Sequence, residues 1–131
     1  MFKIAKQSFG FVLTFAGKID AKEMQEWVNA TRKELAAPLP DVWGVIVDMR
    51  ELQPLAVDVQ TVMVEGQKLF KQRGMKRSAV ALKDAVTTMQ FRRLARESGI
   101  DAWERYINVE ETQNWQSAAK QWITDAVEPP K

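Results

Sequence analysis

The chain has 131 residues, of which 46% are hydrophobic and 27% are charged, and these are ordinary values for one globular domain with its own core. It contains neither cysteine nor histidine. Disulfides, thiolate and imidazole metal ligands, and Ser–His or Cys–His catalysis are therefore excluded. The formal net charge of +2 conceals a basic segment at residues 71–96, where eight basic residues face a single acid, Asp84.

The sequence gives no sign of membrane insertion or secretion. No apolar run approaches the ~20 residues that a transmembrane helix needs. Residues 1–15 contain lysines, but they include neither a continuous apolar region nor a small-residue cleavage site, so we expect no secretory signal. Together with the absence of cysteine, this pattern favours a cytoplasmic location.

The first third of the chain predicts a β-hairpin followed by a helix. Apolar segments at 2–5 and 11–17 flank a stretch that contains the turn formers Ser8 and Gly10. A capping box of Asp20 and Glu23 then opens a helix over residues 20–35, which ends before the Pro-Leu-Pro sequence at 38–40. Its apolar positions recur at helical spacing: Met24, Trp27, Val28, Thr31 and Leu35.

The middle of the chain alternates strands and helices. A nearly continuous apolar strand is predicted over 42–48, and a polar loop then leads to a helix that opens at Asp58 and ends near Gly74. A short buried strand follows at 78–83. A third helix is predicted between Asp84 as N-cap and Gly99 as terminator. Its apolar stripe comprises Val86, Met89, Phe91, Leu94 and Ala95.

A last strand at 103–109 and a final helix, with apolar positions from Trp115 to Ala126, complete the order ββαβαβαβα. This order predicts an α/β fold with a single-layer, mixed, mostly parallel sheet, an N-terminal β-hairpin and about four helices. We expect one domain over residues 1–127 and a tail at 128–131. The tryptophans at 27, 115 and 122 are predicted core residues, although an apolar helix face would also suit a homodimer.

Three segments resemble the STAS domain, and more particularly the SpoIIAA-like group related to anti-sigma-factor antagonists. VWGVIVDMRELQ (42–53) resembles the strand that ends in an acid and a small loop. EGQKLFKQRGMKRSAVAL (65–82) resembles the helix, glycine and strand that follow, and VEETQNWQSAAKQWI (109–123) resembles the closing helix. The resemblance implies the STAS fold and a regulatory role without a cofactor.

The resemblance does not extend to the phosphorylated serine of STAS switch proteins. In that family, an Asp-Ser-Ser-Gly-like stretch opens a helix, and its phosphorylation breaks binding to a partner kinase. Here the matching stretch is Asp-Val-Gln-Thr, in which Asp58 fits the acid while Val59 and Gln60 occupy the serine positions. Thr61 is the one hydroxyl available, and the glycine is missing.

Three acids surround the loop after the central strand. Asp48, Glu51 and Asp58 would suit a hard cation such as Mg²⁺ if the fold brought their carboxylates together. In the alternative interpretation, Asp58 caps a helix, Asp48 fixes the loop and Arg50 neutralises them. No glycine-rich phosphate loop accompanies these acids, so the sequence favours the alternative, with no metal and no cofactor.

The basic segment offers a second candidate surface. Because the helix at 84–99 runs back along the preceding strand, its arginines are predicted to meet the other cations at the amino edge of the sheet. Such a surface would suit an acidic protein partner or anionic lipid headgroups, and nucleic acid is the weakest candidate because only Phe91 is available for stacking. Alternatively, the cations offset helix dipoles. The cations are Lys71, Arg73, Lys76, Arg77, Arg92, Arg93 and Arg96.

Three function classes remain open. The leading hypothesis is a non-catalytic cytoplasmic regulatory or protein-interaction module. The alternative is a small-ligand or anionic-lipid-binding protein, which would need an apolar pocket of ~300 Å³ or more between helices and sheet. An enzyme comes third, because it would depend on Asp48, Glu51 or Tyr106 and on a carboxylate of strongly raised pKa in a cleft.

Overall fold

The computed structural model describes residues 1–130 and confirms the α/β fold and the order ββαβαβαβα. Lys131, the last residue of the predicted tail, lies outside the described residues. The elements are β1 (Phe2–Gln7), β2 (Gly10–Gly17), α1 (Ala21–Ala36), β3 (Gly44–Leu52), α2 (Val57–Gln72), β4 (Arg77–Leu82), α3 (Ala85–Ser98), β5 (Glu104–Asn108) and α4 (Trp115–Asp125).

The five strands form one mixed sheet in the order β1-β2-β3-β4-β5. β1 is antiparallel to β2, and every later neighbour is parallel. Right-handed crossovers that always advance in one direction place their helices on one face of a sheet. Accordingly, α1, α2 and α3 share one face, and α4, which follows the last strand, packs against β3, β4 and β5 from the other.

Each face of the sheet has its own apolar cluster. The larger cluster lies under α1–α3 and is built around Trp27, whose ring stacks on Phe70 at 6.1 Å and meets Phe15 edge-on at 5.1 Å between centroids. The smaller cluster joins α4 to the sheet through Trp122 and Ile123. The central strand β3 is therefore covered on both faces, as its apolar sequence predicts.

Several boundaries follow the local signals in the sequence. The Asp20 carboxylate accepts a hydrogen bond from the Glu23 backbone N–H at 2.8 Å, and Asp84 accepts from two backbone N–H groups of α3. Gly99 ends α3 in the left-handed conformation, with φ of 82°, and Gly74 follows α2 with φ of 94°. These residues were identified correctly because capping depends only on nearby backbone groups.

The start of α2 differs from the prediction. The helix begins at Val57, with Ala56 as N-cap and no capping side chain, so the prediction that Asp58 opens the helix is wrong by one residue. The loop is held instead by two glutamines: the backbone N–H of Leu55 donates to Gln90 Oε1, and Gln60 Nε2 donates to the carbonyl of Leu55, both at 2.8 Å.

The strand β3 is also longer than predicted. It continues through Arg50 and Glu51 to Leu52, so these residues belong to a strand and not to a loop. The extension is stabilised by β2, which pairs with it as far as Gly17↔Leu52 after a register shift between Thr14 and Ala16. The partner strand sets the length of β3, and a local sequence pattern cannot show that.

The apolar stripe predicted for α3 is wrong at its amino end. Val86 and Met89 are 57% and 71% exposed, whereas Thr87 is completely buried. Thr87 is held inside because its hydroxyl donates to the Asp84 carboxylate at 2.6 Å, which satisfies the polar group of an otherwise small side chain. Phe91, further along the helix, is buried as predicted.

The final helix is shorter than the predicted stripe. Ala126 is exposed and ends α4 in the left-handed conformation with φ of 57°. Trp122 is buried as predicted, and its Nε1–H donates to the carbonyls of Ser78 and Trp103. Trp115 is only half-buried, so it lies at the rim of the smaller cluster.

A substitution at Gly66 would test how closely α2 packs on α1. A methyl group at this position would clash with the indole of the buried Trp27. Alanine is favoured over glycine in helices by about 1 kcal/mol, yet overpacking costs about 1–3 kcal/mol. We therefore expect Gly66→Ala to lower the free energy of unfolding in urea, measured by circular dichroism. Lys68→Ala, on the exposed side of the same helix, should stay within about 0.5 kcal/mol of the wild type. Equal stability of Gly66→Ala and wild type would contradict this packing.

Candidate functional site

The first candidate surface contains an internal ion pair. Asp48 and Arg50 lie on the face of β3 that α4 covers. Arg50 Nε lies 3.0 Å from Asp48 Oδ1, its terminal nitrogen lies 2.9 Å from Oδ2, and its guanidinium is 5.0 Å from the Trp115 ring centroid. Burial acts to raise the pKa of Asp48, but the hydrogen bonds and charge of Arg50 outweigh it and hold that pKa below its usual value. The neutralisation of Asp48 by Arg50 agrees with the alternative interpretation of this loop.

The other two acids have different partners. Glu51 forms an exposed ion pair with Lys83 at 3.0 Å, and the carboxylate of Asp58 accepts from the backbone N–H of Val59 at 3.0 Å. Among residues 1–130, no three acidic side chains are arranged to hold a metal ion. The geometry therefore gives the magnesium interpretation no support. Thr61 is exposed on α2, where its hydroxyl donates to the carbonyl of Val57.

Several cations of the basic segment are engaged singly, by partners on different elements. Arg73 Nε donates to the carbonyl of Leu35 at the end of α1, at 2.7 Å. Arg77 donates two bonds, of 3.0 and 3.2 Å, to the carbonyl of Ile123 in α4, on the opposite face of the sheet. Both arginines therefore satisfy the last carbonyls of a neighbouring helix, where a cation is electrostatically favoured.

Two adjacent arginines of α3 also contact different partners. Arg93 forms an ion pair with Glu97 at 2.7 Å and donates to the side-chain carbonyl of Gln60. Arg92 instead lies over the ring of Tyr106, with 4.6 Å between its guanidinium carbon and the ring centroid. Lys71 is exposed in the last turn of α2, and Lys76 is exposed on the segment between α2 and β4.

Arg92 and Arg96 are the two predicted cations that face a common cavity. They lie one turn apart on α3 and, among residues 1–130, neither forms an ion pair with an acid. Both raise the positive potential at Tyr106, since their charges act to lower the pKa of its hydroxyl. The sequence placed both arginines in a larger basic cluster.

The cavity is a groove of about 860 Å³ along β5, which is an edge strand of the sheet; we call it the β5 groove. Arg92 and Arg96 form its wall on the α3 side, and Tyr106 and Asn108 of β5 line its floor. The opposite wall consists of Glu128, Pro129 and Pro130 of the tail. Asp101 and Glu111 lie near its two ends, before and after the strand.

The tail wall is held by Arg105. Its guanidinium forms a two-point ion pair with Glu128, with N–O distances of 2.8 and 2.9 Å, and stacks at 4.2 Å over the ring of Trp122. This pairing raises the pKa of Arg105 above its ordinary value. The tail beyond α4 is thus fixed against the sheet by a charged clamp.

A buried acid lies beneath the groove. Glu104 is 6% exposed, and its two oxygens accept from Ser78 Oγ at 3.0 Å and from the Tyr106 hydroxyl at 2.5 Å. Burial raises its pKa to about 7, although both hydrogen bonds act against the rise. Burial, together with the nearby carboxyl of Glu104, also raises the pKa of Tyr106 above its ordinary value, so the hydroxyl stays protonated.

Glu104 was not among the residues predicted from the sequence. The available signal was its place in the predicted strand at 103–109, where it shares one face with Tyr106 two residues later. An acid on the covered face of a strand indicates either a polar network or a functional group. Here both carboxylate oxygens are bonded inside the fold, so the geometry favours the network.

Comparison with protein-family models and with curated protein sequences finds no match to this chain. Within residues 1–130, the helices lack the combined length and apolar character that crossing a bilayer requires. The groove and its buried acid therefore have to be interpreted from their own chemistry.

The raised pKa of Glu104 predicts an unusual dependence of stability on pH. The folded state binds the carboxyl proton up to about pH 7, whereas an ordinary glutamate releases it near 4.5. The resulting stabilisation is complete below about pH 4.5 and is lost as the pH rises through 7, by about 3 kcal/mol in all. The lowered pKa of Asp48 affects stability only at still lower pH. There, the stabilisation from ionised Asp48 is lost as the pH falls.

We expect Glu104→Gln to remove this dependence, because the amide is neutral at every pH and still accepts from Tyr106. Urea unfolding at pH 5 and pH 8 should show wild-type stability falling and the variant changing little. Glu111→Gln, an exposed acid of the same groove, should behave as the wild type does. A variant that retains the wild-type pH profile would show that Glu104 titrates normally.

Proposed function

We propose that this protein is a non-catalytic cytoplasmic regulatory module of the STAS-related type that binds an acidic protein partner at the β5 groove. The STAS relationship rests on the resemblance of three sequence segments, and the fold agrees with it in class. The groove, which the sequence did not indicate, replaces the larger basic edge as the working surface.

One observation carries the proposal: Arg92 and Arg96 face an open groove without an acid of their own. The other arginines of the basic segment bond to helix carbonyls or to Glu97. An exposed pair of arginines beside an aromatic ring is typical of protein interfaces, where arginine and tyrosine are enriched. Their charge would also steer an acidic partner toward the groove.

The ligand-binding alternative has less support. The cavity between α1–α3 and the sheet measures about 30 Å³, enough for one or two water molecules and far below the volume that a lipid chain or cofactor occupies. The enzyme hypothesis gains a carboxyl of raised pKa in Glu104, but its oxygens are occupied by Ser78 and Tyr106. Neither observation favours a second function.

Regulation by phosphorylation of Thr61 stays a separate prediction. The hydroxyl is exposed near the start of α2, where a phosphate would be electrostatically accepted. Incubation with host lysate and ATP, followed by mass spectrometry, tests this site. The proposal for the β5 groove does not depend on the result.

A pull-down from host lysate tests the proposed function. The double variant Arg92→Glu with Arg96→Glu changes the net charge by four units and leaves the apolar core untouched. We expect the wild type to capture a defined acidic protein. The variant should capture at least ten-fold less of that protein. Raising the salt concentration should also weaken capture, because exposed charges are screened.

The matched control reverses two exposed lysines elsewhere, Lys22→Glu with Lys68→Glu, and produces the same net charge. Circular dichroism of both variants checks that the fold is intact. A partner retained by the control and lost by the arginine variant supports the proposal. Equal capture by all three proteins would move the binding surface elsewhere, and capture of no protein by the wild type would count against an interaction module.

A further inference from the structure

We propose that the β5 groove receives an extended segment of the partner as a sixth β-strand, with two acidic side chains at alternate positions facing Arg92 and Arg96. The inference rests on the proposed function and adds the mode of binding to it. It depends on the backbone of β5, on the spacing of the two arginines, and on the charges at the ends of the groove.

The backbone of β5 has one occupied side and one open side. Trp103 accepts from the Ser78 N–H at 3.1 Å, and Val109 donates to the Leu82 carbonyl at 2.9 Å. Backbone groups of successive residues in a strand point to opposite sides, so every second residue between Trp103 and Val109 points its N–H and C=O away from β4. Glu104, Tyr106 and Asn108 therefore present their N–H and C=O groups to the groove.

The two ends of this open side are partly closed. The carbonyl of Glu104 accepts from the guanidinium of Arg105 at 3.2 Å, and the carbonyl of Asn108 accepts from the Glu111 N–H at 3.2 Å. In the register Val80↔Tyr106 the backbone N–H and C=O of Tyr106 point away from β4, and within residues 1–130 no loop backbone group bonds to them. An unpaired donor and acceptor at the centre of an edge strand form a template for an added strand.

The arginine spacing matches an extended segment. Arg92 and Arg96 are four residues apart on α3, which corresponds to about 6 Å along a helix axis. Side chains at positions i and i+2 of a strand lie on one face and are about 6.6 Å apart. Because the side chain of Tyr106 already points toward α3, neighbouring side chains of an added strand on that face would approach both guanidinium groups.

The ends of the groove restrict the segment further. Asp101 and Glu111 would repel acids placed at either end, whereas Glu128 is already paired with Arg105. The chemistry therefore selects a segment with two acids at its centre and uncharged residues at its ends. A uniformly acidic tail fits this distribution less well.

The probe is a capped heptapeptide, Thr-Ile-Glu-Val-Glu-Ile-Thr, titrated into the full chain by isothermal calorimetry. Two derivatives carry N-methyl groups, one on both glutamates and the other on the valine and both isoleucines. In a strand, alternate N–H groups face the same neighbour. We expect one derivative to bind at least ten-fold more weakly and the other to bind as the parent does. The affected set shows whether the added strand is parallel or antiparallel to β5.

Amide hydrogen exchange supplies the second readout. The N–H of Tyr106 should exchange at least ten-fold more slowly with the probe bound, while that of Ile107, which points toward β4, should change little. The Arg92→Glu and Arg96→Glu double variant should lose the probe, and a peptide with lysines in place of both glutamates should not bind the wild type.

The outcomes separate this inference from the proposed function. If a lysate partner depends on Arg92 and Arg96 but both methylated peptides bind alike, the function stands and strand addition is wrong. If the probe shows the alternating pattern while the lysate yields no partner, the edge accepts a strand and the proposed function fails. Absence of probe binding at millimolar concentration would overturn strand addition.

Discussion

The other features of this fold depend on one constraint, which is that the strands follow one another across the sheet in chain order. From β2 to β5 each strand is added beside the previous one, so three right-handed crossovers place α1, α2 and α3 on one face. Within residues 1–130, the other face is covered by α4, which follows β5. The order also leaves no reversal point within the parallel strands, where α/β proteins form their usual crevice. At the carboxyl end of β3, the last residues pair with β2. The β5 groove lies instead at the edge of the sheet.

Covering the second face with one helix requires a close approach. Gly44 of β3 lies where any side chain would clash with Ile123 of α4, and the small Ala79 and Ala119 are buried in the same cluster. Trp122 adds hydrogen bonds, since its indole N–H donates to the carbonyl of Ser78 in β4 and to that of Trp103, just before β5. The close packing of α4 on the sheet determines where the chain leaves the helix, and the ion pair between Arg105 and Glu128 then holds the tail beside β5. The second wall of the groove is thus a consequence of how the last helix is held.

The sequence predicts the features that depend on near neighbours along the chain. The caps at Asp20 and Asp84 and the terminator Gly99 were recognised because their partners lie within four residues. The length of β3 and the start of α2 were missed, because β2 and the glutamines at 60 and 90 determine them from elsewhere in the chain. The partners of the individual cations could not be predicted for the same reason. Topology brings elements to one edge, but the facing of each side chain decides its partner, and the neighbours Arg92 and Arg93 point to different ones.

The helix ends explain why some arginines are engaged and others are available. α1 ends at Ala36, its C-cap Ala37 is extended and not left-handed, and the carbonyl of Leu35 accepts from Arg73. α3 ends differently, because left-handed Gly99 lets the backbone N–H groups of Gly99 and Ile100 satisfy the carbonyl of Ala95. A helix closed by its own backbone does not need a cation at its last carbonyls. Arg96, in the last turn of α3, is therefore left to face the groove, so the glycine that ends the helix also leaves this charge exposed.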